Sequence, residues 1–110
     1  MQALNLMNDV TFVEASRLLA QSVLRMDEPK RLSAAFLRVM QRRPTREESR
    51  ILNQSLTAHL SKFRTNPNAA NSLLKLGQSP LPENLDHAEL AAWTMICSTL
   101  LNLDETVTKE

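Results

Sequence analysis

The sequence contains few glycine, cysteine and aromatic residues: one Gly, one Cys, three Phe and one Trp among 110 residues. This shortage of glycine and aromatic side chains disfavours β-sandwiches and β-barrels. Because Cys97 stands alone, an intramolecular disulfide, a four-cysteine zinc site and covalent C-x-x-C-H haem attachment are excluded within this chain. No run approaches the roughly 20 apolar residues of a membrane helix, and the N-terminus lacks the basic start and apolar core of a signal peptide.

What remains is the composition of a soluble helical domain. Hydrophobic residues make up 43% of the chain and charged residues 23%, both close to globular averages. The net charge is +1, so attraction to nucleic acid or to a membrane would require a local patch. A length of 110 residues fits one domain. We therefore expect residues 1–110 to form a single all-α domain, a compact bundle of about five helices with short connections.

Capping signals and proline predict where the first two helices begin. Helix one should start near Val10, with Asp9 or Thr11 as its cap. Helix two should start at Pro29, where proline ends one helix and suits the first turn of the next, and should end before Arg43. Apolar residues at helical spacing predict the buried face of each helix. For helix one these residues are Phe12, Ala15, Leu19, Val23 and Met26, and for helix two Leu32, Ala35, Phe36, Val39 and Met40.

Three further helices are predicted in the same way. Thr45 and Glu48 match a capping box that opens helix three, which should reach about residue 64. Asn66 should cap a short helix over residues 67–76, and Asp86 should open the last helix after an extended loop over residues 78–85. The last helix is the most apolar and is expected to be the central helix of the bundle. Its predicted core residues are Leu90, Ala92, Trp93, Ile96, Cys97, Leu100, Leu101 and Leu103.

A cluster of five arginines surrounds the predicted junction of helices two and three, namely Arg38, Arg42, Arg43, Arg46 and Arg50. Two helices joined by a short turn could form a DNA-binding module. However, Glu47 and Glu48 lie inside the cluster and no aromatic residue is interleaved with it, so a solvated or partner-facing basic face is favoured over nucleic acid.

A polar group near the end of the last helix is the second candidate site. Asn102, Asp104 and Glu105 offer oxygen ligands for a hard cation, but three residues are too few for calcium, which takes six to eight oxygens. We expect instead that the chain turns at Leu103 and that Asp104 pairs with an arginine or caps the N-terminal segment, where Asn8 and Asp9 lie. These residues would then tie the two ends of the domain together.

Three segments resemble a known family: "QALNLMNDVTFVEA" at residues 2–15, "AFLRVMQRRPTREE" at 35–48, and "ELAAWT" with "LLNLDETVTKE" toward the end. They are similar to the C-terminal part of the domain of unknown function 1553. Val10 and Thr106 depart from its pattern, where the family often has proline and an aromatic residue. The residues that match its two long motifs are Gln2, Ala3, Leu4, Asn8, Asp9, Phe12, Val13, Glu14, Ala15, Asn102, Asp104, Glu105, Thr108, Lys109 and Glu110.

The resemblance implies that this chain is the C-terminal portion of a much larger protein, of a kind best known from planctomycetes. Such proteins are typically exported or periplasmic and carry an upstream cytochrome c-like domain, so haem is implied only for the upstream domains and no cofactor for this chain. The expected function is a non-enzymatic structural and interaction module, with the upstream domains of the same polypeptide as partner and a homodimer through an exposed apolar face as a further option. Two alternatives remain: a nucleic-acid-binding module that uses the arginine cluster, and an enzyme fragment completed by upstream domains.

Overall fold

A computed structural model of the chain describes residues 10–76 and 84–108. The predictions made for Asn8 and Asp9, and for most of the extended loop at residues 78–85, lie outside these ranges. Within them the only regular secondary structure is helical and there is no strand, which confirms the predicted all-α bundle. The elements are α1 (Val10–Leu24), a single 3₁₀ turn (Glu28–Lys30), α2 (Arg31–Met40), α3 (Arg46–Thr65), α4 (Pro67–Leu74) and α5 (His87–Thr108).

The predicted capping signals fix the starts of α3 and α4. Thr45 Oγ1 accepts a 3.1 Å hydrogen bond from the Glu48 amide, and Glu48 Oε1 accepts a 2.8 Å bond from the Thr45 amide, so the capping box is complete. At the next junction Asn66 Oδ1 accepts a 3.3 Å bond from the Ala69 amide. The Glu48 amide lies in the first turn of α3 and has no partner within the helix, so the Thr45 hydroxyl satisfies it. The Ala69 amide also bonds the Asn66 carbonyl at 3.1 Å, so Asn66 holds the first turn of α4 with both its side chain and its backbone.

The longest helix, α5, lies at the centre of the fold, as predicted. It contacts each of the other four α-helices. A helix that is apolar on most sides needs neighbours on most sides, and this arrangement provides them. The apolar residues of α5 that are fully or almost fully buried are Leu90, Ala91, Ala92, Trp93, Ile96, Cys97 and Leu100, and the polar residues Thr94 and Ser98 are buried with them.

The buried face predicted for α1 is partly wrong. Ala15 is exposed, while Ser16 and Arg17 are buried against the core. Both polar side chains find local partners: Ser16 Oγ donates to the Phe12 carbonyl at 2.9 Å, and Arg17 Nη1 donates to Gln21 Oε1 at 3.2 Å. A pattern based only on apolar residues therefore predicts the wrong rotation of α1 about its axis. The face of α1 that packs against the core consists of Val13, Ser16, Arg17, Ala20, Val23 and Leu24.

Two predictions about the later helices are also corrected. The chain does not turn at Leu103, because α5 continues through Thr108, and the Leu103 side chain is 46% exposed instead of widening the buried face. The fourth helix ends at Leu74, two residues before the predicted position. Among the described helices none combines the length and apolar character needed to cross a membrane.

Candidate functional site

The arginine corner, defined as residues 38–50, joins the end of α2 to the start of α3. The chain leaves α2 through Gln41, which has a left-handed backbone conformation with φ of 61° and donates its amide to the Leu37 carbonyl at 2.9 Å. This conformation costs a residue with a Cβ roughly 1–2 kcal/mol. Pro44 and the Thr45 cap then start α3 without a long linker. The corner is therefore a tight junction that holds its arginines on a defined backbone.

Arg42 is committed to the structure of the corner. Its guanidinium forms two parallel hydrogen bonds with the Glu48 carboxylate, both at 2.9 Å, and lies 4.9 Å from the centre of the Phe36 ring. The hydrogen bonds from Arg42, followed by the bond from the Thr45 amide, lower the pKa of Glu48 to about 2. The same pairing raises the pKa of Arg42. Arg42 thus connects α2 to the capping box of α3.

Two more arginines of the corner have partners within the chain. Arg50 forms a bidentate ion pair with Glu47, one turn earlier on α3, with Nε 3.2 Å from Oε1. Arg38 Nη1 donates to Ser22 Oγ on α1 at 2.7 Å. The two carboxylates that the sequence places inside the cluster therefore neutralise Arg42 and Arg50.

Arg43 and Arg46 differ from their neighbours. Both are exposed, and within the part of the chain that the structure describes no carboxylate lies within ion-pair distance of either guanidinium. An arginine that is solvated and not paired keeps its full charge available to a partner molecule. Two of the five arginines of the corner are therefore available to a partner, and the other three are bonded within the chain.

Arg43 also borders an apolar groove at the surface of α2, here called the basic groove. Its volume is about 330 Å³. Leu37 in the groove is 45% exposed, and together with the other apolar lining residues it forms an apolar surface. The groove is lined by Met26, Pro29, Lys30, Ser33, Ala34, Leu37 and Arg43, so both charged residues at its edge are basic.

Sequence reasoning found the arginines but missed Lys30 and Leu37. One signal was available, because Leu37 lies off the predicted apolar stripe of α2 and is therefore expected to be exposed. The pairing of Arg50 with Glu47 was also accessible, since residues three apart on a helix are neighbours.

Among the described residues, no contact joins the polar group near the end of α5 to the arginine corner. Asn102 and Asp104 are partly buried in the last turns of α5 and both make polar interactions. The backbone of Glu105 continues the same helix. The prediction that Asp104 ties the two ends of the domain together stays a prediction, since Asn8 and Asp9 are outside the described residues.

Metal and thiol chemistry have little support in the described ranges. No group of three His, Cys, Asp or Glu side chains there is arranged to hold a metal ion. Cys97 is fully buried, and burial raises the pKa of its thiol to about 12, so the thiol stays protonated at neutral pH. Cys97 is a core residue, as the apolar stripe of the last helix predicted.

The chain matches a known protein family over its first half. A family described as protein of unknown function (DUF1553) matches residues 1–56, which include α1, α2 and the arginine corner. No curated protein and no solved structure matches the chain. The match agrees with the resemblance seen in the first two sequence segments and covers half of the chain. The chain therefore belongs to the DUF1553 family of proteins of unknown function.

Proposed function

We propose that this DUF1553 chain is a non-enzymatic structural and interaction module. It docks through the arginine corner and the basic groove onto an acidic surface of another part of its parent polypeptide. The observation that carries the proposal is the contrast within the corner: Arg42 and Arg50 are paired with Glu48 and Glu47, whereas Arg43 and Arg46 have no carboxylate in range among the described residues.

The groove supplies the apolar part of such a contact. Full burial of a leucine side chain is worth about 1.5–3 kcal/mol, and Leu37, which is 45% exposed, can gain roughly half of that on docking. Lys30 and Arg43 at the edge would contribute mainly to the association rate and to the choice of partner. An acidic surface with an apolar centre complements this combination.

We also propose that the parent protein is large, exported or periplasmic and associated with haem. The support is the resemblance to the family's pattern. The proposal can be checked in the source cells by probing fractions with an antibody against this domain and staining the same band for haem peroxidase activity. A small cytoplasmic band without haem staining would contradict it.

Docking can be tested by recording amide NMR spectra of the labelled domain while the remainder of the parent polypeptide is added in trans. We expect localised shifts at the arginine corner and weaker binding as salt is raised, because exposed charges are screened over about 8 Å at physiological ionic strength. The variant Arg43→Glu/Arg46→Glu should lose binding. A control with the same charge change per site is Lys62→Glu on the far half of α3, which should bind normally.

Two outcomes would contradict the proposal. Shifts that avoid the corner, or equal binding by the double variant and the Lys62→Glu control, would remove the docking face. Tight binding of duplex DNA whose affinity falls steeply with salt would favour the nucleic-acid alternative instead. Glu47 and Glu48 argue against that alternative, because they lie inside the arginine cluster and pair with two of its five arginines.

A further inference from the structure

A second concave site lies between α2, α3 and α5, and is here called the Trp93 cleft. Its volume is about 420 Å³, within the roughly 300–1,000 Å³ range of small-molecule sites. The apolar lining consists of Pro29, Leu32, Leu56, Leu60 and Trp93. The polar lining consists of Glu28, Arg31, Ser33, Ser49, Asn53 and Glu89.

Arg31 is held in place at the edge of this cleft. Its Nε donates to the Met26 carbonyl at 3.0 Å and its Nη2 to the Leu24 carbonyl at 3.2 Å, so it binds the end of α1. Its Nη1 donates to Glu89 Oε2 at 3.3 Å. Glu89 is thereby fixed by one carboxylate oxygen, and among the described residues the other oxygen, Oε1, has no hydrogen-bond partner. This leaves a positioned acceptor at the cleft.

The charges around the cleft select the sign of a ligand. Glu28 and Glu89 carry two negative charges against the single positive charge of Arg31, so the lining has a net charge of about −1. The face of an indole ring such as that of Trp93 also attracts cations. An anionic ligand would meet two carboxylates, and a purely apolar ligand would remove Glu89 and Asn53 from water without replacing their hydrogen bonds.

We propose that the Trp93 cleft binds a small organic amine, with its ammonium group on the Glu89 carboxylate and its apolar stem along Leu56, Leu60 and Trp93. Asn53 and Ser49 also line the cleft, and their side-chain oxygens can accept hydrogen bonds from the remaining ammonium N–H groups. Neither side chain makes a hydrogen bond to another described residue, which leaves both oxygens available. This site is lined by opposite charge from the basic groove and does not depend on the docking proposal.

The cleft contains its own reporter, because Trp93 is the only tryptophan in the chain. The test titrates the full 110-residue chain with cyclohexylethylamine and follows Trp93 fluorescence. The matched uncharged probe is cyclohexylethanol, and neither probe absorbs with the indole. We expect a saturable change with the amine and at least about tenfold weaker binding of the alcohol, which corresponds to roughly 1.4 kcal/mol.

Three variants sharpen the result. Glu89→Gln keeps the side-chain shape and should weaken amine binding at least tenfold, whereas Glu47→Gln makes the same charge change outside the cleft and should have no effect. Asn53→Phe starts from an exposed residue at the opening, so it should leave the fold intact while it fills the cleft and abolishes binding. Asn53→Phe still tests the proposal if Glu89→Gln destabilises the junction of α1, α2 and α5 around Arg31.

The proposal is overturned if the fluorescence change does not saturate, if the alcohol binds as well as the amine, or if Glu89→Gln or Asn53→Phe binds like the wild type. A short peptide that carries one lysine between alanines serves as the last probe. Saturable binding of that peptide without binding of the free amine would assign the cleft to the basic side chain of a partner protein and overturn the small-ligand proposal.

Discussion

Arg31 offers a sharp test of how the fold is held together, because one side chain joins the end of α1, the start of α2 and the start of α5. It donates to the carbonyls of Met26 and Leu24 and pairs with Glu89. The informative change is Arg31→Met, which keeps most of the aliphatic stem and removes the charge and every donor. It leaves two carbonyls at the end of α1 without their partner.

The expected loss can be estimated from these contacts. A hydrogen bond from a charged group contributes about 1.5–3 kcal/mol, and partial access of water to the carbonyls reduces the pair of bonds to about 2–3 kcal/mol in total. The ion pair adds less, about 0.5–1 kcal/mol, because the side chains of Arg31 and Glu89 are 17% and 32% exposed. Arg31→Met should therefore lower the free energy of unfolding by about 3 kcal/mol, and Glu89→Gln by at most about 1 kcal/mol.

The assay is urea unfolding followed by circular dichroism, with the slope of the transition checked for constancy. Arg43→Met is the matched control, since it removes an exposed arginine with no carboxylate in range among the described residues and should change the free energy by no more than about 0.5 kcal/mol. The reasoning fails if Arg31→Met matches this control. It also fails if Glu89→Gln costs as much as Arg31→Met, since the ion pair and not the carbonyl bonds would then dominate.

Four further outcomes are expected. Trp93→Ala should lower the free energy of unfolding by about 3–5 kcal/mol in urea titrations, because the side chain is only 4% exposed at the centre of the bundle. Glu48, whose pKa is lowered to about 2 by Arg42, stabilises the fold above its unfolded pKa of about 4.3. This stability should fade as the pH falls from about 4.3 to 2, and melting curves of Glu48→Gln should show a smaller loss over that window. Gln41→Gly should raise the free energy of unfolding by about 0.5 kcal/mol, because relief of the left-handed conformation exceeds the flexibility of glycine in the unfolded chain. Cys97 should react with iodoacetamide only as fast as the protein unfolds, which mass spectrometry across a urea series can follow, since its pKa is about 12 and its side chain is buried.

A specific result would contradict each of these predictions. A Trp93→Ala protein that unfolds at the wild-type urea concentration would remove Trp93 from the core. Parallel pH profiles for Glu48→Gln and the wild type would show that the Arg42 pair is not formed in solution. A destabilised Gln41→Gly variant would argue against strain at the corner, and rapid alkylation in the absence of urea would place Cys97 near the surface.

The parts of this fold that could be predicted from sequence are those encoded by neighbouring residues. The Thr45 and Glu48 box, the Asn66 cap and the prolines at 29 and 67 act within one helical turn, so their effect does not depend on the rest of the chain. The apolar run around Trp93 also predicted a central helix, because only a helix with neighbours on several sides can bury so many apolar residues.

The features that could not be predicted depend on which helices pack against one another. Arg17 is buried in the interface of α1, a position that an apolar pattern assigns to the surface. Leu103 continues the apolar spacing of α5 and is nevertheless exposed, because no described neighbour covers that side of the helix. The Trp93 cleft takes Arg31, Asn53 and Glu89 from three different helices, so no spacing along the chain predicts their meeting.

The central position of α5 also bears on how the protein emerges from the ribosome. The other helices are synthesised first, yet their apolar faces are covered chiefly by a helix that follows them along the chain. At about 5–20 residues per second, roughly 4–15 s pass between the synthesis of α1 and the start of α5. During that interval the nascent chain has no complete core and its apolar residues stay exposed, which is the condition in which chaperones protect a chain from aggregation. A chain that stops before residue 87 would lack the helix that completes the core, so we expect it not to form a smaller stable domain.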